Sequence, residues 1–212
     1  MAEKSFWSEK KDKTWLKNFW FYYGKIVMIA VAVGVLLIYG FVSCARTVDN
    51  DLIVYYMGSE HLVPEVYENT GKAFVELIDD ADGKHGENAI CIDMVIPENN
   101  EQATEMDMMM YTKVQIELAE GDGYLYIMSQ KMYNYCMQME VLEDLSKYTG
   151  DQTSTYGIQI NDNKLMQSLG YTTEEPLYMG VRVQKKDRAG KEIFEIKYNN
   201  AVKVIQYVYN NK

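Results

Sequence analysis

Three cysteines and two histidines are all that this 212-residue chain offers of the residue types that staple small secreted folds or build structural zinc sites. So low and odd a cysteine count excludes a disulfide framework. The three also fall in unlike contexts: Cys44 in an apolar run, Cys91 in an expected strand and Cys136 in an expected helix. A Cys91–Cys136 bridge stays open at this level, beside the alternative of two buried thiols. His61 and His85 have no serine or cysteine elbow beside them and no metal-ligand spacing. No enzyme, resident metal or cofactor is therefore expected. Basic charge is scarce beyond the first 25 residues, which hold six Lys against three Asp/Glu; the remainder holds 15 basic and 28 acidic residues. An acidic body repels phosphate backbones, which excludes nucleic acid as a partner. Internal repeats and low-complexity tracts are absent as well.

The chain does have one long apolar run. Ile26–Ala45 is 20 residues without a charge. As a helix rising about 1.5 Å per residue it covers roughly 30 Å, the thickness of a bilayer core. Lys25 and Arg46 bracket the run, and Trp15, Phe19, Trp20, Phe21, Tyr22 and Tyr23 precede it. Such rings favour the lipid–water boundary, so Trp20, Lys25 and Arg46 read as membrane-anchor residues. Lys4, Lys10, Lys11, Lys13, Lys17 and Lys25 lie before the span, and only Arg46 follows it before Lys72. This bias places the N-terminus in the cytoplasm and the body outside a single-pass cell-membrane protein. The expected organisation is a cytoplasmic basic and aromatic segment over 1–24, a transmembrane helix over 25–46 and an extracytoplasmic α/β domain over 47–212. A core helix is rarely apolar all round for this length. The sharper rival is a lipoprotein leader, with "FVSC" as its cleavage box and Cys44 lipidated. Phe41 stands where a branched aliphatic is usual, and the preceding segment is long and mixed in charge, so an uncleaved anchor is favoured. Either route leaves the body outside and attached.

Strand-like and helix-like patterns alternate through the body. "DLIVYYMG" (51–58), "AICIDMVIP" (89–97) and "YLYIMS" (124–129) are short apolar runs of strand type. Between them, Pro64 opens a helix whose apolar face runs Val66, Thr70, Ala73, Phe74, Leu77 and Ile78. A second helix carries Ala103, Met106, Met110, Val114 and Leu118 on one arc and stops at Gly121. Ser129 can cap a short helix through Met137, and a weak helical piece lies near Asn163–Leu169. "PLYMGVRVQ" and "EIFEIKY" alternate like two strands of a hairpin about "KKDRAGK", and Asn199 or Asn200 caps a last helix. This β-α-β-α-β-α order predicts a three-layer α/β domain with a mainly parallel sheet, extended by the late hairpin and a C-terminal helix.

The stretch "MMMYTKVQIELAEGDGYLYIMSQKMYNYCMQMEVLEDLSKY" (108–148) resembles the first lobe of extracellular solute-binding proteins of ABC importers, the type 2 periplasmic-binding fold. The shared features are a helix ending in a Gly/Asp turn ("VQIELAEGDG"), an apolar strand ("YLYIM"), a short helix and the phrase Leu142–Tyr148. "NNAVKVIQYVYN" is similar to that family's late helix. Only residues 149–176 are available for a second lobe, and Ser129 and Gln130 stand where the family often has a cleft-facing Asp. The resemblance therefore implies a single, membrane-anchored lobe, with an ABC permease or another membrane protein as partner, and carries over no ligand.

In open α/β sheets, ligands favour the crevice beyond the carboxyl ends of the strands. Ser59, Glu60, His61, Glu98, Asn99, Ser129 and Gln130 occupy those ends and suit a polar solute or a peptide. The competing reading is a set of ordinary polar-capped loops. His85, in a Gly-rich turn, reads as a solvated loop residue. Met106 and Met110 are assigned to the buried face of their helix and Met108 to the opposite face; core packing outweighs a copper site. The recurring tyrosines could stack on sugars or face a partner. Acidic runs at Asp79–Asp82 and Glu98–Asp107 lack the spacing of a calcium loop. The expected function is that of a surface binding or accessory protein, the alternative being a docking subunit that binds no small molecule.

Overall fold

The computed structural model describes residues 13–45, 50–83, 86–96, 104–151, 156–185, 188 and 190–211. The chain divides into two units, Met1–Val48 and Asp49–Lys212.

The described residues of the first unit form one helix, α1 (Lys13–Ala45), of 33 residues. Within it, Phe19–Gly40 is long and apolar enough to cross a membrane. Lys25 is its only charge, and side chains such as Ile26, Leu36 and Ile38 are exposed. A helix satisfies its own backbone polar groups, which is what a hydrocarbon environment demands.

The second unit orders β1 (Leu52–Met57), α2 (Pro64–Val75), β2 (Ala89–Asp93), α3 (Glu105–Glu120), β3 (Leu125–Ser129), α4 (Gln130–Gln138), α5 (Ser146–Thr149), β4 (Ile158–Gln159), α6 (Lys164–Leu169), β5 (Leu177–Val181) and α7 (Glu192–Asn210). The strands form one five-stranded sheet in the order β2-β1-β3-β5-β4. β1 runs parallel to β2 and β3, whereas β5 runs antiparallel to β3 and β4. The sheet is thus mixed, with parallel and antiparallel pairings in equal number.

Alternation along the strands separates two apolar clusters. Leu52, Val54 and Tyr56 join Leu125, Ile127, Leu177 and Met179 against Val66 and Phe74 of α2, Met166 of α6, and Ala201, Val204, Ile205 and Val208 of α7. Tyr55, Met57, Tyr126 and Met128 point the other way, into a cluster with Val114 and Leu118 of α3 and Met132 and Cys136 of α4. Successive strand side chains face opposite sides of the sheet, so this division follows from the pleat.

The expected late hairpin is corrected. Its first strand is β5, but Glu192–Tyr198 opens α7, and β4 pairs with β5 instead. The alternating apolar residues of 193–198 continue into Ala201, Val204, Ile205 and Val208 at helical spacing, and that longer period wins. Glu192 and Glu195 sit in the first turn, where negative charge suits the helix dipole. Asn199 and Asn200 lie inside α7 and do not cap it. Asn200 donates to the carbonyls of Asp51 (3.2 Å) and Asp79 (2.8 Å) and accepts from the Asp79 amide (3.0 Å). The Met106 assignment is corrected too: Met110 is half-buried, but Met106 is 69 % exposed. Steps of four overshoot a 3.6-residue turn by about 40°, so the arc through Leu118, Val114 and Met110 has rotated off the core by Met106.

The C-terminal end of α3 is held by two arginines. Arg182, 3 % exposed, donates to the carbonyls of Glu117 (3.2 Å), Leu118 (2.8 Å), Ala119 (3.1 Å) and Gly121 (2.7 Å). Arg188 donates to those of Glu120 (2.8 Å) and Gly121 (2.7 Å) and pairs with Asp122 at 2.8 Å. The last carbonyls of a helix have no partner within it, and cations there also suit the helix dipole. Arg182→Met strands several of these carbonyls and is expected to cost about 2–3 kcal/mol. In a domain of this size that lowers Tm by roughly 5–10 °C. A thermal melt of the full-length variant followed by circular dichroism checks this, and an unchanged Tm would refute the clamp.

Candidate functional site

The carboxyl ends of β1 and β2 build a rim of polar side chains. β1 leaves the sheet at Gly58, where an added Cβ would lie 2.2 Å from the Tyr56 hydroxyl. Only glycine lets the chain fold this tightly over that ring. Tyr56 donates to the Glu60 carbonyl at 3.2 Å. Ser59 donates to the Glu175 carboxylate. His61 Nδ1 meets Asp93 Oδ2 at 2.5 Å, with the imidazole 69 % exposed. The Leu62 amide donates to the Tyr67 hydroxyl at 2.9 Å. Asp93 Oδ1 is buried and has no hydrogen-bond partner among the described residues.

Behind the rim the tyrosines form a continuous layer. Tyr56 packs against Tyr67 and Tyr171, with ring centroids 5.8 and 6.1 Å apart. The Tyr171 hydroxyl meets Thr70 at 2.9 Å and Cys91 Sγ at 3.9 Å. Burial, with Asp93 nearby, holds the Tyr56 and Tyr67 hydroxyls well above their ordinary pKa. These phenols are neutral donors across the physiological range. A cleft of about 390 Å³ opens beside Tyr171, walled by Gln159, Asn161, Thr173, Glu174 and Pro176. Asn161 is committed to holding that wall, since it donates to Glu175 O (2.8 Å) and accepts from Leu177 N (2.7 Å).

Of the residues read from sequence as ligand-binding, Ser59, Glu60 and His61 share this rim. Glu98 and Asn99 lie outside the described residues. The register Met57↔Met128 sets Ser129 one step past the end of β1, but Ser129 and Gln130 are used locally. Ser129 Oγ accepts from Met132 N (3.3 Å) as the cap of α4. Gln130 accepts from the Tyr178 hydroxyl (2.7 Å) and donates to Asn134 (3.1 Å). Asp93, Tyr67 and Glu175 were missed. Asp93 ends β2, whereas the expected strand ran on to Pro97 and placed it mid-strand. Glu175 precedes β5, whose antiparallel course brings its start to this edge; no local pattern announces that.

Chemically the rim presents an oriented imidazole, carboxylates and phenol hydroxyls, a set suited to hydrogen-bonding a polar group. Among the described residues there is no cluster of three or more His, Cys, Asp or Glu able to hold a metal. Within the Asp79–Asp82 run, Asp80 serves its own loop, accepting from the amides of Asp82 (3.0 Å), Gly83 (2.7 Å) and Gly86 (3.2 Å), and Asp79 pairs with Lys203 of α7.

Cys91 and Cys136 are free and belong to the clusters on opposite faces of the sheet, which excludes a bridge between them. Burial pushes both thiols up, from an ordinary value near 9 to about 12. Thiolates are the reactive form, so both are inert in the folded state. Iodoacetamide at pH 8 should therefore label neither residue until guanidinium is added, as counted by mass spectrometry of the full chain; rapid labelling of Cys91 in the folded protein would contradict this. Between pH 9 and about 12 the folded chain keeps protons that the unfolded chain releases. Stability should consequently fall as pH rises through that window.

No protein-family model matches this chain, no curated protein matches it, and no solved structure matches its fold.

Proposed function

We propose that this protein is a membrane-anchored, extracytoplasmic binding or accessory subunit, an α/β lobe held at the cell surface that acts by non-covalent recognition. The observation that carries this reading is the exposed apolar length of Phe19–Gly40 set beside five preceding lysines, four of them before Thr14, with Lys25 inside its first third. The cost of leaving such a run in water favours insertion, and the Lys/Arg bias favours a cytoplasmic N-terminus. The resemblance of residues 108–148 to one lobe of solute-binding proteins supports the same location and suggests a permease or similar membrane protein as partner.

A second reading, a docking subunit that takes no small solute, is favoured by the pairing inside the rim. Ser59 is held by Glu175, His61 by Asp93 and Gln130 by Tyr178. A solute would have to replace these bonds to gain its own.

Proteinase K added to intact cells that carry a C-terminal tag should remove the tag while sparing an N-terminal one; the reverse pattern would overturn the orientation. Melting the full-length protein with amino acids, peptides and sugars separates the two readings. A Tm rise that His61→Ala abolishes would establish a solute site, and silence across the panel would favour docking.

A further inference from the structure

The outward face of α3 is apolar and regular. Val114 and Leu118 are buried, whereas Met109, Thr112, Ile116 and Ala119 all lie on the exposed side. Met109 is 67 % and Ile116 59 % exposed. Glu105, Met109, Thr112, Ile116 and Ala119 recur at alternating steps of four and three, the spacing of a heptad seam. The seam runs along a helix of 16 residues, roughly 24 Å in length. A surface hollow of about 480 Å³ follows Met108, Met109, Thr112 and Ile116. The Thr112 hydroxyl already donates to the Met108 carbonyl at 2.9 Å. Drying the seam therefore strands no donor there. Exposed apolar stripes of this kind mark contact surfaces.

Large and small residues alternate along the seam, and that alternation identifies the occupant. We propose that α3 pairs antiparallel with α3 of a second copy of this chain, about a two-fold axis level with Val114. In that register Met109 faces Ala119 of the second copy and Ile116 faces its Thr112. Symmetry supplies the reciprocal layers, so every layer sets a bulky residue against a small one. Such a self-complementary patch is what a two-fold interface requires. Lys113 and Glu120 flank the seam on one side, seven residues apart. Antiparallel pairing brings Lys113 within side-chain reach of Glu120 of the second copy. Glu120 meets Lys185 at 3.2 Å and stays largely exposed, open to another cation. A parallel pairing would stack Met109 on Met109 and Ile116 on Ile116, leave gaps at Thr112 and Ala119, and set Lys113 opposite Met108. Arg182 and Arg188 fix the C-terminal turn, so the seam is presented on a rigid helix. The contact is smaller than the ~1,600 Å² usual between free proteins. Confinement of both copies to one membrane raises their effective concentration and offsets this. The two-fold contact itself stands whether or not the chain is anchored.

The test is oxidative cross-linking of full-length protein in membranes. Gln115→Cys lies beside the axis; Lys131→Cys, exposed on α4, is the control, and the parent chain reports any background from its own thiols. Copper phenanthroline is expected to convert Gln115→Cys to a covalent dimer at least tenfold faster than either. Met109→Glu with Ile116→Glu in the same background is expected to slow dimer formation at least tenfold while leaving the circular-dichroism melt in place. Cross-linking no faster than the control would overturn the pairing, as would cross-linking that survives the double substitution.

Discussion

Water cannot solvate Ile26–Ala45 cheaply. Twenty residues in succession carry no charge, and each large aliphatic side chain among them gains about 1.5–3 kcal/mol on leaving water. A helix closes its own backbone hydrogen bonds, so lipid accepts it. The proposed surface location inherits this constraint, because insertion into a membrane would set the compartment and therefore the class of partner available to the body.

The body meets a different demand, covering a sheet that is apolar on both sides. β1 and β3 sit between neighbours and are buried almost throughout. α2, α6 and α7 supply the apolar cover for one set of strand side chains, and α3 and α4 for the other. α3 is fixed along one face and at both ends. Val114 and Leu118 fasten its inner face, the Thr104–Asp107 capping box closes its start, and Arg182 and Arg188 close its end. Once a helix is held in this way, whatever it carries on its outer face is displayed in fixed order, and here that is an apolar seam. The rim at the ends of β1 and β2 is polar, yet largely occupied by its own partners. These two features are what the proposed recognition of another polypeptide rests on.

Local chemistry made much of the fold legible in the sequence. The three parallel strands were visible as apolar runs, Pro64 marked the start of α2, Ser129 signalled a cap that the structure contains, and the weak helical piece near Asn163–Leu169 is α6. Where two periods fit the same residues, the shorter window misled. Glu192–Tyr198 alternates well enough for a strand, and only its continuation through Val208 shows the helix. Residues joined by tertiary geometry were illegible. Asp93 and Glu175 come from distant segments, and nothing near either in sequence links it to His61 or Ser59. Arg182 looked like an ordinary strand residue because its partners are backbone carbonyls, which leave no trace in side-chain pattern.

The anchored, uncleaved state of the chain is the claim on which the functional account stands. Alkaline extraction of cell membranes followed by intact mass measurement tests it most directly. The account requires the protein in the membrane pellet at a mass that includes residues 1–43. A species beginning at Cys44, or one released into the alkaline supernatant, would contradict it.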